Sequence, residues 1–268
     1  MTLGTRGAVS ADYGAFVKLF GELGIPDPVP DRDYYVAKLM PEMIVAHDGA
    51  TVVGYATWRT YGTTAHIPNV SVDPAWRGRR VGQLLLERIR ELAKAAGCTR
   101  WYRNVKADNA PAIRLYERCG FVTDKESWAM SISWRDALAL PFDPGLAETV
   151  VRPDDDAEVA ARFGLEAARV PVLRARSDTT VLVAVHAPDG GGPVAFAAFD
   201  TSFPGAYPFK TLRPDLAGNL LRACHAYAEL DRHDSIRLTV EGDRALYETL
   251  AAGGATLMFA LFQLASPL

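Results

Sequence analysis

The segment Arg77–Gln83 (RGRRVGQ) combines arginines and glycines directly before a run of apolar residues at helical spacing. At the start of a helix, backbone N–H groups lack partners within the helix, and the helix dipole places partial positive charge there. Glycines let a ligand approach the main chain closely, and the arginines add positive charge. These residue types in this order predict a binding site for an anionic group such as a pyrophosphate.

Two common phosphate motifs are absent from the sequence. There is no GxxxxGK[ST], and there is no GxGxxG with an acidic residue about twenty positions later. Arg77–Gln83 alone therefore leaves two interpretations open, an anion site and a solvated basic turn. A second feature is needed to decide between them.

The second feature is Asp108–Phe121 (DNAPAIRLYERCGF), which lies between two predicted strands. Together with Arg77–Gly82 it resembles the GNAT superfamily of N-acetyltransferases, whose pattern is Q/R-x-x-G-x-G/A followed by N-x-x-A-x-x-L-Y-x-x-x-G-F. Arg77 and Gly82 match the ends of the first motif, whereas Arg80 stands at its middle glycine. Phosphates held by backbone N–H groups tolerate a side chain there, and the arginine could add a charge. The matches to the second motif are Asn109, Ala112, Leu115, Tyr116, Gly120 and Phe121.

The resemblance implies acetyl-CoA as the cosubstrate and no metal. It implies that the main chain of Arg77–Gln83 holds the pyrophosphate, and that the pantetheine pairs with Val70–Val72 like an added strand. Asn109 would bond the pantetheine arm. The cofactor-binding residues implied in this way are Val70, Ser71, Val72, Arg77, Gly78, Arg79, Arg80, Val81, Gly82, Gln83, Asn109, Ala112 and Tyr116.

Tyr116 is, by the same resemblance, the general acid that protonates the departing CoA thiolate after an amine attacks the acetyl carbonyl. A phenol with a pKa of about 10 can protonate a thiolate with a pKa of about 8.5, and it keeps its own proton at neutral pH. The alternative is an aromatic side chain that only packs its helix against the core. The surrounding motif favours the catalytic role.

The general base is harder to assign. The attacking amine must be neutral, so a base has to remove a proton from the ammonium form. Many members of the resembled family carry a glutamate on the fourth strand, near the place where this chain has Pro68. His66 is the first candidate because an imidazole titrates near neutral pH, and a packed or solvent-facing histidine is the alternative. Asp108 and Glu22 are weaker candidates.

Substrate contacts in the resembled family come from stretches that correspond to Phe20–Tyr35 and Arg59–Thr64. In or beside them lie carboxylates that could attract a cationic amine and aromatic side chains that could flank it. A solvated face and ordinary core aromatics explain the same residues equally well. The residues in question are Asp27, Asp31, Asp33, Tyr34, Tyr35, Trp58 and Tyr61.

Local patterns predict the elements that must position these residues. Alternation around Asp48-Gly49 predicts a hairpin of Met43–His47 and Thr51–Arg59, and Thr64–Val72 is predicted as a third strand. Helical spacing predicts a helix over Val81–Ala96. An α/β (α+β) fold follows, with a mixed central sheet flanked by helices. The other predicted elements of the first half are a strand at Arg6–Val9, a helix at Tyr13–Leu23, a strand at Trp101–Val105, a helix at Ala110–Arg118 and one or two strands within Phe121–Trp134.

The length of 268 residues, with 49% hydrophobic and 23% charged residues, predicts two globular domains. We expect an acetyl-CoA-binding catalytic GNAT domain at 1–135, a linker at 136–148 and a degenerate GNAT-like copy at 149–268. The predicted elements of the second copy are strands at Val181–Val185 and Val194–Phe199 around the turn Pro188–Pro193, a helix at Leu216–Leu230, a strand at Ile236–Val240, a helix at Arg244–Leu250 and a strand at Thr256–Leu264.

The second copy has lost features that phosphate binding needs. Within Arg213–Leu221, which parallels Arg77–Leu85, Pro214 has no N–H and Asp215 opposes an anion. Tyr247 parallels the catalytic tyrosine and is expected to survive only as packing. We therefore expect this copy to bind no CoA.

Charge and cysteine spacing exclude several function classes. Residues 1–135 carry a net charge of +4 and residues 136–268 one of −7, so the first half suits an anionic cofactor but not nucleic acid. Cys98, Cys119 and Cys224 are too far apart for a CxxC site or a disulfide framework. The absence of a signal-peptide pattern and of about 20 consecutive apolar residues predicts a cytoplasmic protein without a membrane partner. We expect a monomer or weak homodimer, because the tandem copy can cover the surface that a dimer would bury.

The leading hypothesis is transfer of an acetyl group from acetyl-CoA to a primary amine of a small molecule, by direct attack in a ternary complex. Two alternatives stay open: an acyl-CoA-binding pseudoenzyme that regulates a partner, and a protein or peptide N-acetyltransferase. A serine hydrolase is disfavoured because the sequence has no GxSxG.

Overall fold

The computed structural model describes residues 3–24, 28–176, 178–188 and 191–268. The strands are β1 (Leu3–Gly7), β2 (Met43–Asp48), β3 (Thr51–Thr57), β4 (Arg59–Tyr61), β5 (Thr64–His66), β6 (Val70–Val72), β7 (Arg100–Lys106), β8 (Val122–Ser133), β9 (Ala147–Val150), β10 (Thr180–His186), β11 (Pro193–Asp200), β12 (Gly205–Thr211), β13 (Ser235–Glu241) and β14 (Thr256–Pro267). The helices are α1 (Tyr13–Gly21), α2 (Arg32–Tyr34), α3 (Val81–Ala95), α4 (Ala110–Arg118), α5 (Trp134–Ala139), α6 (Asp156–Arg162), α7 (Arg169–Arg176), α8 (Ala217–His225) and α9 (Arg244–Ala252). None of the helices in these ranges has both the length and the apolar character that crossing a bilayer requires.

The chain divides into two compact units. Unit 1 contains most of the chain up to Val105, together with Asn109–Asp124 and Gln263–Leu268, and unit 2 contains Lys106–Asp108 and most of Lys125–Phe262. The end of β14 therefore belongs to unit 1. The segment expected as a linker, 136–148, holds the end of α5 and the beginning of β9, and the domain boundaries at 135 and 149 stay predictions.

Unit 1 contains a sheet with the strand order β1-β2-β3-β6, in which all neighbours are antiparallel. The predicted hairpin of β2 and β3 is confirmed. Helices α1 and α3 cover the two faces of this sheet: Tyr55 of β3 contacts Phe16 of α1, whereas a Cβ at the adjacent Gly54 would lie 3.2 Å from Val81 of α3. Neighbouring strand residues point to opposite faces, so both faces of β3 are buried.

The predicted single strand Thr64–Val72 is wrong, because it is two strands in two sheets. β5 pairs with β7 in parallel, with His66 opposite Tyr102, whereas β6 pairs with β3. Between them, the β5–β7 ladder ends after Ile67 N donates to Tyr102 O (3.0 Å), because Asn69 N donates to Thr57 Oγ1 (3.2 Å) instead. The chain leaves β7 there, and β6 lies at the edge of its own sheet.

Unit 2 has a mixed sheet in which β8, β13, β12, β11, β10 and β9 are neighbours in that order. Only the β12–β13 pair is parallel among the pairs from β8 to β9 in the described residues. Its core packs Trp134 and Phe199 against α8 and α9. Sequence patterns missed β12, α6 and α7. The mixed sheets flanked by helices confirm the predicted α/β fold class.

Candidate active site

The outer edge of β6 offers main-chain groups that its sheet does not use. Thr57 N donates to Asn69 O (2.9 Å) and Asp73 N donates to Val53 O (3.0 Å), so the odd-numbered residues of this stretch turn their main chain toward β3. In an antiparallel ladder the alternate residues turn the other way, so Val70 and Val72 present their N–H and C=O groups outward. This edge could accept an extended ligand as an added strand.

In the same strand, the main chain of Ser71 points toward β3, opposite to the main chain of Val70 and Val72. Its hydroxyl donates to Leu19 O of α1 over 2.7 Å and is buried. Of the three β6 residues that the sequence proposed for cofactor contacts, Val70 and Val72 therefore have the suitable main-chain orientation. The side chain of Ser71 instead fixes α1 on the sheet.

The turn between β6 and α3, which the sequence predicts as an anion site, contains two residues with positive φ. Asp73 caps the short 3₁₀ segment Pro74–Trp76 by accepting from Ala75 N (2.9 Å). Gly78 then has a φ of 74° and Arg80 a φ of 63°, both in the left-handed region. Within the described residues, no other non-glycine residue has a positive φ. The position of the motif's middle glycine thus requires a conformation that favours glycine, and Arg80 adopts it with some strain.

Residues 77–80 of this turn are exposed, and the arginines keep their charge at its surface. Arg77 Nη2 lies 2.7 Å from Glu22 Oε2, and its Nε donates to the outward carbonyl of Val72 (3.2 Å). The guanidinium of Arg79 stacks over Trp76 at 5.0 Å from the ring centroid. Gln83 in the first turn of α3 bonds Glu87 (2.9 Å).

Gly82 is buried and packs α3 against α4. A Cβ at this position would lie 2.8 Å from Leu115 Cδ2. The glycine of the first motif and the leucine of the second thus form one packing contact. Gly82 has a structural role here whether or not a ligand is bound, and its neighbour Val81 is buried as well.

Asn109 is the N-cap of α4. Its Oδ1 accepts from Ala112 N over 3.2 Å, and Pro111 occupies the first turn, where its missing N–H is harmless. The cap is therefore Asn109 and not the neighbouring Asp108. Contacts of Asn109 and Ala112 with a pantetheine stay predictions.

Tyr116 on α4 is only 2% exposed, and its hydroxyl accepts a hydrogen bond from Arg103 Nη1. The guanidinium carbon of Arg103 also lies 4.5 Å from the centre of the tyrosine ring. Burial raises the pKa of the Tyr116 hydroxyl above its usual value, and the positive charge of Arg103 opposes this rise. The hydroxyl is therefore protonated at neutral pH and still has its own proton to donate.

His66, the candidate base, is half-buried between two aromatic rings. Its ring stacks on Tyr102 with centroids 4.6 Å apart and 12° between the planes, and Tyr61 lies at 6.2 Å on β4. This environment fits an aromatic packing role, and the role of a base stays a prediction.

Several residues proposed for substrate binding have structural roles. The side chain of Asp31 caps the start of α2 by accepting a hydrogen bond from Tyr34 N (2.8 Å). The buried Tyr35 donates its hydroxyl proton to Val9 O (3.0 Å). Tyr34 is 41% exposed and remains available to a ligand. Asp27 lies outside the described residues.

Arg103 was missed in the sequence, although a signal exists. In the strand WYRNV, Trp101, Arg103 and Val105 share one face by the period of two, and all three are buried. A charged residue on the inward face of a strand needs a polar partner. The pattern predicts such a partner but does not say that it is Tyr116.

In unit 2, the start of α8, which parallels the start of α3, is covered by the chain itself. A Cβ at Gly218 would overlap Pro141 O, and Asn219 exchanges two hydrogen bonds with the main chain of Asp143 (3.0 and 2.8 Å). Arg222 donates to Leu138 O. Residues 138–143 therefore cover the first turns of α8, including Gly218, the counterpart of Gly82.

Tyr247 does not stand where Tyr116 stands. Asp243 caps α9 as Asn109 caps α4, and seven residues after each cap come Leu250 and Tyr116 respectively. The hydrogen bonds agree, since Ala255 N donates to Leu250 O (2.9 Å) as Phe121 N donates to Tyr116 O (3.0 Å). Matching the two copies by sequence paired Tyr247 with Tyr116 wrongly, because that match is offset by three residues from the pairing of the helix caps Asn109 and Asp243. Tyr247 instead stacks on Trp128, with 4.8 Å between ring centroids.

Comparison with known proteins identifies the family. The sequence model described as "Acetyltransferase (GNAT) family" matches residues 17–121. The N-alpha-acetyltransferase RimI of Mycobacterium tuberculosis is 35% identical over 125 residues, which cover 44% of this chain and 77% of that protein. The chain belongs to the GNAT family of acetyltransferases. Two other curated relatives are matched over only 27% and 48% of their own length.

Solved structures match the whole chain. A GNAT protein from Sphaerobacter thermophilus aligns with a TM-score of 0.68 and 17% identity over 99% of this chain and 95% of that one. A tandem GNAT protein from the clavulanic acid biosynthesis pathway aligns with a TM-score of 0.66 and 17% identity over 99% and 98%. At these identities the likeness concerns the fold, and it confirms the prediction of two GNAT folds in tandem. GNAT acetyltransferases use acetyl-CoA and act on amines.

Proposed function

We propose that this protein transfers the acetyl group of acetyl-CoA to a primary amine of a small molecule. The observation that carries the proposal is the split between β5 and β6, which leaves the outward main chain of Val70 and Val72 beside a turn suited to anions. A pantetheine needs an extended edge and a pyrophosphate needs N–H groups at a helix start. In this chain the turn at the start of α3 follows the exposed edge of β6 directly.

In the proposed reaction the amine nitrogen forms a bond to the acetyl carbonyl carbon, and the C–S bond breaks with its electron pair on sulfur. Tyr116 donates its hydroxyl proton to that sulfur and is reprotonated from solvent. The proton that the amine loses passes to His66 or to water. The reaction is direct, with both substrates bound together and with no acetyl group on the protein.

Unit 2 binds no acetyl-CoA in this proposal. Its support is the cover over α8 by residues 138–143 and the replacement of the tyrosine position by Leu250. The proposal further includes a cytoplasmic protein, monomeric or weakly dimeric, that needs no metal, nucleic acid or membrane.

Titration calorimetry with acetyl-CoA tests this assignment. We expect one site per chain, with about tenfold weaker binding when Arg79 and Arg80 are both changed to Gln, because charge beside the phosphates is removed. Arg88→Gln is the matched control, since Arg88 lies on α3 in an exposed pair with Glu91 (2.8 Å), and it should bind normally. Two sites would contradict the proposal for unit 2, and no binding would contradict the function itself.

Release of the CoA thiol, measured across a panel of amines and N-terminal peptides, tests the substrate class. Turnover with small amines supports the proposal. Turnover with peptides alone would favour a peptide N-acetyltransferase, and cofactor binding without any turnover would favour the pseudoenzyme.

A further inference from the structure

Where β5 leaves β7, one strand carbonyl loses its expected partner. In the parallel β5–β7 ladder, Ile67 N donates to Tyr102 O (3.0 Å), and the next bond in the series would join Asn69 N to Asn104 O. Asn69 N instead donates to Thr57 Oγ1 (3.2 Å), on the neighbouring sheet. The split of the sheet therefore leaves the Asn104 carbonyl for another donor.

Arg103 supplies that donor. Its Nε and Nη2 both donate to Asn104 O, over 3.0 and 2.6 Å, and its Nη1 donates to the hydroxyl of Tyr116. A guanidinium is a rigid planar fork, so fixing two of its nitrogens on the strand carbonyl also fixes the direction of the third. The side chain is largely buried, with the residue 9% exposed, which limits competition by water.

We propose that Arg103 is a positioning residue, which holds the Tyr116 hydroxyl at the split of the sheet so that the oxygen accepts from the arginine and its proton points away to the leaving group. This inference rests on the proposed function, because it assigns Tyr116 the role of acid. An oxygen that accepts from a guanidinium cannot donate its own proton to it, since arginine has no acceptor. The contact thus orients the proton for transfer.

The charge of Arg103 acts in the same direction. When Tyr116 gives its proton to the thiolate, a phenolate forms in a buried place, and the adjacent guanidinium stabilises it. Burial alone raises the pKa of the tyrosine and would make it a weaker acid, and Arg103 counteracts this. The arginine therefore favours the transfer step without any contact with cofactor or amine.

A double-mutant cycle of Arg103→Met and Tyr116→Phe tests the inference. We expect Tyr116→Phe to lower kcat about 100-fold and Arg103→Met to lower it about tenfold or more, with little change in the KM for acetyl-CoA. Because the arginine acts through the tyrosine, the double variant should match Tyr116→Phe alone. Arg103→Lys, which keeps a charge and a donor, should recover part of the loss.

Arg100→Met is the matched control, since Arg100 lies on the same strand but pairs with Asp124 at the surface (2.9 Å), and it should keep wild-type kcat. Thermal unfolding identifies variants that fail to fold, and Arg103→Gln replaces Arg103→Met if the latter does. Three results would each overturn the inference. They are a wild-type kcat in a folded Arg103 variant, effects of the two changes that multiply in the double variant, and a raised KM at unchanged kcat. A wild-type protein without turnover on any amine would instead overturn the proposed function.

Discussion

At the residue scale, Arg80 shows how a sequence can keep a glycine conformation without the glycine. Its φ of 63° strains an L-residue, so we expect Arg80→Gly to raise the free energy of unfolding by about 0.5–1 kcal/mol. The adjacent Arg79 has no positive φ, so Arg79→Gly should lower that free energy. Urea denaturation of both variants measures the difference. Equal effects of the two changes would contradict strain at Arg80.

Gly82 provides a second prediction at this scale. Gly82→Ala should lower the free energy of unfolding by about 1–3 kcal/mol, because the new Cβ would meet Leu115 at 2.8 Å. In a Leu115→Ala background the same change should be nearly neutral, since the clashing atom is gone. Chemical denaturation of the four proteins gives the coupling. Additive effects would show that Leu115 is not the obstacle.

Residues were predictable from the sequence where their role is local. Gly120, which ends the predicted helix, was identified from one continuous motif, whereas Asn109 was proposed only for a pantetheine contact and its N-cap role was not predicted. Arg103 was not, because its partner Tyr116 lies on another element, and a strand pattern cannot specify which buried acceptor receives an arginine.

At the element scale, helices followed from the sequence more closely than strand pairings. The predicted helix Ala110–Arg118 has the observed bounds, since its glycine stop is a local signal. The break between β5 and β6 was not predicted, because an extended pattern does not say which neighbour each half pairs with. The change of sheet follows from Asn69 N, which donates to Thr57 Oγ1 instead of continuing the ladder to β7.

The outward edge of β6 makes a prediction about cofactor binding. Val72→Pro removes an N–H that β3 does not use, so the fold should persist while acetyl-CoA binds about threefold to tenfold more weakly, by the loss of one hydrogen bond. Val72→Ala keeps the N–H and should bind normally. Calorimetry measures the affinities, with circular dichroism as the check on folding. Unchanged affinity of a folded Val72→Pro protein would argue against pantetheine pairing at this edge.

At the scale of the whole molecule, the sequence predicted the tandem arrangement but not the assignment of the last strand. The end of β14 belongs to unit 1, where Leu268 N donates to Thr99 O over 2.9 Å. Repeats in a sequence show similar copies, whereas the unit to which a strand segment belongs depends on contacts between residues that are distant in the chain. A protein shortened at about residue 136 would therefore lack part of unit 1 as well as unit 2.

The two ends of β14 should respond differently to mutation. Leu264 is 1% exposed, so Leu264→Ala should lower the free energy of unfolding by about 2–4 kcal/mol, and deletion of Gln263–Leu268 should abolish acetyl-CoA binding. Leu257, on the same strand, is 48% exposed, and Leu257→Ala should change stability by less than about 0.5 kcal/mol. Denaturation and calorimetry provide both readouts. Normal cofactor binding by the deletion variant would show that unit 1 folds without this segment.

The place of Gln263–Leu268 in unit 1 also has a consequence for biosynthesis. A ribosome makes the rest of unit 1 first, then nearly all of unit 2, and only afterwards the segment Gln263–Leu268, which belongs to unit 1. Folding during translation usually lets the N-terminal domain finish before the next begins. Here unit 1 is complete only after Leu268 has been made, so a stalled or truncated translation product would carry both GNAT motifs and yet lack part of unit 1.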